Sequence, residues 1–166
     1  MDYKTPEKLK VDELKVACRQ SGKHFPFTWV AFNCNFEGDL HRDRGNAGPS
    51  FIKTLARFSG GPLVYYPGDD GRVALNKLKH ERHVLLDVGR QAMLFDGNGG
   101  HSGGKIQSGT RLSLVAYTRI GCESVPKRLR SKLNTLEFEM PTNDTMNHFK
   151  ALLYGTRSYL ECRHLR

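Results

Sequence analysis

Cysteine is scarce in this 166-residue chain, and the four present, Cys18, Cys34, Cys122 and Cys162, form no C-x-x-C pair and no zinc-finger spacing. Their scarcity excludes a disulfide scaffold or a cysteine-ligated zinc module. Free buried thiols in a reducing compartment, nuclear or cytoplasmic, are the expectation. No apolar run approaches the ~20 residues of a membrane span. The opening MDYKTPEKLK has no apolar core of a secretory signal. Neither membrane insertion nor secretion is therefore expected. Acidic residues are the minority charge, 17 against 26 basic, leaving a net charge of +9. That excess suits a polyanionic partner such as nucleic acid. It is spread over the whole chain, so any basic footprint has to be assembled by folding.

Apolar residues make up 38% of the chain and aromatics 10%, enough for one folded domain. Neither repeats nor low-complexity linkers interrupt it. Thr5-Pro6-Glu7 reads as a helix start, and Val11, Leu14 and Cys18 recur at helical spacing. A helix over 5–21 is expected within an N-terminal helical segment, 1–24. Residues 25–120 are punctuated by glycine and read as β. Strands are expected at 27–36, 50–57, 62–66, 83–88, 91–95 and 110–118, which suggests a sandwich or barrel. The remainder, 121–166, turns helical again, at 126–133 and 143–154. The cluster Lys127, Arg128, Arg130 and Lys132 reads as a solvated helix face.

The chemistry is concentrated in a few residues. His41-Arg42-Asp43 follows a strand, and side chains two apart in an extended segment point the same way. His41 and Asp43 can thus meet one metal. His101 lies 58 residues after Asp43, in a glycine-rich turn after a strand. Two imidazoles and a carboxylate on one face leave coordination positions open, the facial triad of non-haem Fe(II) oxygenases. Arg111 lies ten residues further on, on the last strand, with Ser113 facing the same way. A guanidinium beside a hydroxyl suits a carboxylate. A dicarboxylate can chelate iron at one end and meet Arg111 at the other. The remaining histidines are given no site role: His80 and His83 at the start of a strand, His24, His148 and His164 on loops or helix surfaces.

Order and spacing together resemble the Fe(II)/2-oxoglutarate-dependent dioxygenases over roughly residues 25–120. The resemblance implies a mainly β fold with flanking helices, built on a double-stranded β-helix (jelly-roll) core. Phe58-Ser59-Gly60-Gly61-Pro62-Leu63 is similar to the F-x-G-G-x-L turn of that superfamily. A narrower resemblance, to the ten-eleven translocation and J-binding protein (TET/JBP) branch, rests on four groups of residues. These are Cys34-Asn35-Phe36, His41-Arg42-Asp43, Asn46, and the run Thr110–Tyr117. It implies iron on His41, Asp43 and His101, and 2-oxoglutarate on Arg111 and Ser113. It also implies a flipped DNA base met by Asn46 and stacked on Tyr117, with O2 as co-reactant. The implied activity is hydroxylation of the methyl group of 5-methylcytosine or thymine in DNA. The branch's cysteine-rich zinc module is absent here. Arg119 stands two residues past Tyr117, where animal members carry histidine. Two other readings are open: the same chemistry on a protein side chain, as in prolyl hydroxylases, and a catalytically inactive nucleic-acid-binding jelly roll.

Overall fold

The computed structural model describes residues 25–136, 138 and 140–154. The helix expected over 5–21 lies outside them, as do Cys18, Cys162, His24 and His164. Nine strands are present among the described residues: β1 Trp29–Cys34, β2 Ser50–Thr54, β3 Phe58–Gly60, β4 Leu63–Tyr65, β5 Val84–Leu86, β6 Met93–Phe95, β7 His101–Gly103, β8 Ile106–Gly109 and β9 Leu112–Tyr117. Helices α1 Lys127–Thr135 and α2 Asn143–Tyr154 follow.

The major sheet runs β1-β9-β2-β6, every neighbour antiparallel. The chain leaves it to build a second sheet, β5-β4-β7, and the pair β3-β8. Alternation along the strands sorts the side chains of the major sheet into two layers. Ile52 and Phe95 point inward, where they pack with Leu63, Tyr65 and Val88 between the sheets. Phe51, Leu114 and Ala116 point the other way and pack with Phe25 and Phe149 of α2. The edge-on contact of Phe25 with Phe149, 5.1 Å between centroids, seals that layer. The described residues form a β-rich jelly roll with α2 packed on one outer face.

Several expectations need correction. The strand expected over 50–57 ends at Thr54. Strands β3 and β7 stand where turns were read, and β8 where no strand was expected. They are three or four residues long and rich in glycine and serine, so they carry no hydrophobic alternation. Backbone ladders hold them, with one Ser59–Ser108 hydroxyl contact of 2.7 Å. His101 is therefore the first residue of β7 rather than part of a turn. Arg111 immediately precedes β9. His80 lies in a 3-10 turn ahead of β5 and His83 follows it, edge-on to His80 and against Tyr66. His148 is half-buried on α2, edge-on to Phe149. Among the described residues the cysteines expected to be buried are not: Cys34 is exposed and Cys122 half-buried, and both are free thiols. Helix α1 buries none of its residues, in keeping with the solvated reading of its basic face. No helix among the described residues is long and apolar enough to cross a membrane.

Candidate metal centre

His101 opens β7, where its backbone is opposite Tyr65 of β4 on one side and His41 on the other. His41 and His101 form an antiparallel bridge, each N–H donating to the other's carbonyl at 2.9 Å. Residues directly opposite in such a bridge place their side chains side by side, and here the ring centroids are 4.3 Å apart. Asp43 is two residues along, its N–H donating to the Gly97 carbonyl at 2.7 Å. One carboxylate oxygen lies 3.6 Å from His41 Nε2 and the other 3.6 Å from His101 Nε2. One atom from each residue falls within 4.8 Å of the others, a group that can hold a metal ion.

Backbone carbonyls select the tautomer of both rings. His41 Nδ1 meets the Asp39 carbonyl at 2.6 Å, and His101 Nδ1 meets the Gly99 carbonyl at 2.9 Å. A carbonyl only accepts, so each Nδ1 carries a proton, and Nε2 is the nitrogen each ring turns toward Asp43 as a candidate ligand. Burial pushes the His101 imidazole below its ordinary pKa, against the opposing pull of the Gly99 carbonyl and Asp43. The neutral ring is the ligating form. His41 and Asp43 are half-exposed and His101 is buried, so the group opens on one side.

Arg111 is held by backbone from two directions. Its own N–H donates to Asn35 Oδ1 at 2.7 Å, and Asn35 adopts a left-handed φ of 50°. Nη1 donates to the Gly61 carbonyl at 2.7 Å and Nη2 to the Phe36 carbonyl. Gly61 has φ 59°, and a Cβ there would stand 3.0 Å from Nη1. The Gly-Gly turn thus carries the arginine as well as reversing the chain. Burial lowers the pKa of the guanidinium, opposed by Glu37, yet an arginine keeps its charge. Its Nε is buried without a partner. An unmet buried donor costs about 1–3 kcal/mol, more when charged, and an anionic ligand in the cavity would satisfy it.

The seven residues singled out in the sequence, His41, Asp43, Asn46, His101, Arg111, Ser113 and Tyr117, all line one cavity of about 250 Å³. Ser113 is buried and Tyr117 half-buried, and both project from β9 into the space between the sheets. Asn46 is buried and donates through Nδ2 to Ser50 Oγ at 3.1 Å. Arg44 and Arg119 also line the cavity. Arg119 sits over the exposed Trp29 ring, 5.8 Å from its centroid. Gly97 is a site residue the sequence did not disclose. A Cβ there would meet Asn46 Nδ2 at 2.7 Å, Ser50 Oγ at 2.8 Å and Asp43 Oδ2 at 3.1 Å. Its signal is lost among the neighbouring glycines of the same turn.

Fold and site together define a jelly-roll protein with a His–Asp–His group able to bind a metal. No protein-family model and no curated protein sequence matches the chain. Some solved structures show a partial likeness. One, described as NgTET1 in complex with 5mC DNA, is 20% identical, with a TM-score of 0.45 over 64% of this chain and 41% of that one. The chain thus spans less than half the length of that structure. The dTDP-6-deoxy-D-glucose-3,5-epimerase RmlC of Legionella pneumophila is 13% identical, with a TM-score of 0.36 over 68% of this chain and 57% of that one. NovW, a 4-keto-6-deoxy sugar epimerase of Streptomyces spheroides, is 8% identical, with a TM-score of 0.36 over 80% of this chain and 79% of that one. The likeness is one of fold.

Proposed function

We propose that the chain is a single Fe(II)- and 2-oxoglutarate-dependent dioxygenase domain that hydroxylates the methyl group of a DNA base, 5-methylcytosine or thymine. One observation carries the reading: a His–Asp–His group and a buried guanidinium with an unmet Nε share one cavity. His41 Nε2, Asp43 and His101 Nε2 would hold the iron, and Arg111 with Ser113 the far carboxylate of 2-oxoglutarate. Iron with the 2-oxo acid and O2 supplies hydroxylation of a C–H bond; the protein's part is orientation and exclusion of water.

The rim favours a nucleic acid over a polypeptide. A base flipped out of its stack needs a π-face and edge hydrogen bonds. Tyr117 offers the first, and the Asn46 carboxamide offers both a donor and an acceptor. Arg44 and Arg119 line the same cavity and would supply two cations for the phosphates flanking such a base. Trp29, 55% exposed, offers a surface for a neighbouring base. A cavity of about 250 Å³ lies just under the ~300–1,000 Å³ of sites for drug-sized ligands. It suits a small dicarboxylate and one planar ring.

The test is an anaerobic titration with Fe(II) and 2-oxoglutarate, followed through the visible metal-to-ligand charge-transfer band. The band is expected in the wild-type protein, absent in His41→Ala and weakened in Arg111→Ala. Folded wild-type protein that gives no band refutes the reading. If the band forms, oxidation of 5-methylcytosine- and thymine-containing DNA, against peptide controls, tests the substrate.

A further inference from the structure

Arg42 stands between two of the three candidate ligands, and alternation sends its side chain away from theirs. Its Nε donates to Asp69 Oδ2 at 2.6 Å and its Nη2 to Asp69 Oδ1 at 2.7 Å. Nη2 also donates to the Val73 carbonyl at 2.6 Å. Both side chains are buried, Asp69 to 1% exposure. The same carboxylate accepts from Gly71 N–H at 3.0 Å and from Gly100 N–H at 2.7 Å. Gly100 directly precedes His101, and a Cβ on it would meet Leu78 at 2.8 Å and Asp69 Oδ2 at 3.1 Å.

One carboxylate therefore grips both ligand-bearing segments. Through Arg42 it holds the His41–Asp43 stretch, and through Gly100 it holds the entry to His101. Burial alone would raise the pKa of Asp69, but the hydrogen bonds from Arg42, Gly71 and Gly100 bring it below its ordinary value. A buried ion pair is a poor source of net stability, because desolvation offsets much of the attraction. What such a pair does well is fix geometry, and this one fixes residues on either side of the metal group.

We infer that Asp69 and Arg42 are the positioning residues of the metal centre, setting the spacing of His41, Asp43 and His101 from outside the cavity. The inference rests on the metal-centre reading above. Outer partners of this kind typically change metal affinity by about 10–100-fold.

The probe is Mn(II) alone, added to the metal-free 166-residue chain and followed by the electron paramagnetic resonance signal of the free ion. Wild type, Asp69→Asn, Arg42→Lys and Phe149→Ala are compared, with melting temperature measured for each. Asparagine keeps the shape but loses the charge and one of the two acceptor oxygens, so its NH2 must face either Arg42 Nε and Gly100 N–H or Arg42 Nη2 and Gly71 N–H, donors against donors. Lysine keeps the charge but loses the two-point contact. Phe149→Ala destabilises the helix-side core, remote from the site, and reports what destabilisation alone does. The expectation is about 10–100-fold weaker Mn(II) binding in Asp69→Asn, a smaller loss in Arg42→Lys, and wild-type affinity in Phe149→Ala despite its lower melting temperature. Wild-type affinity in folded Asp69→Asn overturns the inference, as does an equal loss of affinity in Phe149→Ala. If Asp69→Asn does not fold, wild-type affinity in Arg42→Lys overturns it. A wild-type chain that binds no Mn(II) takes down the metal-centre reading itself, and this inference with it.

Discussion

Replacing Gly97 by alanine puts a methyl group where three site atoms already stand. The new Cβ would lie 2.7 Å from Asn46 Nδ2, 2.8 Å from Ser50 Oγ and 3.1 Å from Asp43 Oδ2. Two of them have little room to retreat. Ser50 is fully buried and Asn46 nearly so, and the two are hydrogen-bonded to each other. Nor can the turn back away freely, because the Gly97 carbonyl accepts the Asp43 N–H at 2.7 Å. Overpacking of this kind costs about 1–3 kcal/mol. In a chain of this size each kcal/mol lowers the melting temperature by roughly 2–4 °C, so a fall of about 2–12 °C is expected. Because Asp43 is one of the displaced atoms, Mn(II) affinity should fall with it. A second substitution, Ser50→Gly, removes the 2.8 Å contact and should recover part of the lost stability, a coupling visible in a double-mutant cycle. A Gly97→Ala protein with the melting temperature and Mn(II) affinity of wild type would refute the argument that this turn is held open by the site.

Two further outcomes bear on the cosubstrate and the base. Arg111→Lys should weaken 2-oxoglutarate about tenfold or more while leaving Mn(II) affinity in place, because an ammonium cannot reproduce the planar fork held by the Gly61 and Phe36 carbonyls; titration of both ligands checks it, and unchanged 2-oxoglutarate affinity counts against the assignment. Tyr117→Ala should reduce formation of oxidised base by about tenfold, in line with a stacking contribution of ~1–3 kcal/mol, while 2-oxoglutarate turnover without DNA persists; equal loss of both would remove its stacking role.

The long strands of the major sheet were legible because Trp29–Cys34, Ser50–Thr54 and Leu112–Tyr117 carry β-branched and aromatic side chains at alternating positions. Both described helices were legible for the corresponding reason. The short strands were not, since Phe58–Gly60, His101–Gly103 and Ile106–Gly109 present glycine, serine and glutamine. Backbone pairing with distant partners makes them strands, and a local window cannot see that. The cavity's residue types were readable from H-x-D, the distant histidine and R-x-S. What positions them was not. Arg42 and Asp69 are 27 residues apart, and Asp69 lies in a stretch that reads only as a turn. The role of Gly61 as an arginine cradle depends on β3 and β8 meeting, and the need for glycine at position 97 on how Asn46 folds back toward Ser50.

The backbone bridge between His41 and His101 has a consequence for how the molecule holds together. Everything from β2 through β6 lies in the chain between those two residues. An ion shared by their rings would act as a buckle on a belt, cross-linking the two ends of a sixty-residue excursion without any covalent bond. An ion at 100 times its dissociation constant contributes about 2.7 kcal/mol to the folded state. That contribution vanishes the moment the two ends part. The metal-free and metal-loaded forms would then differ less in shape than in endurance, the loaded form being the slower to open to proteases and heat.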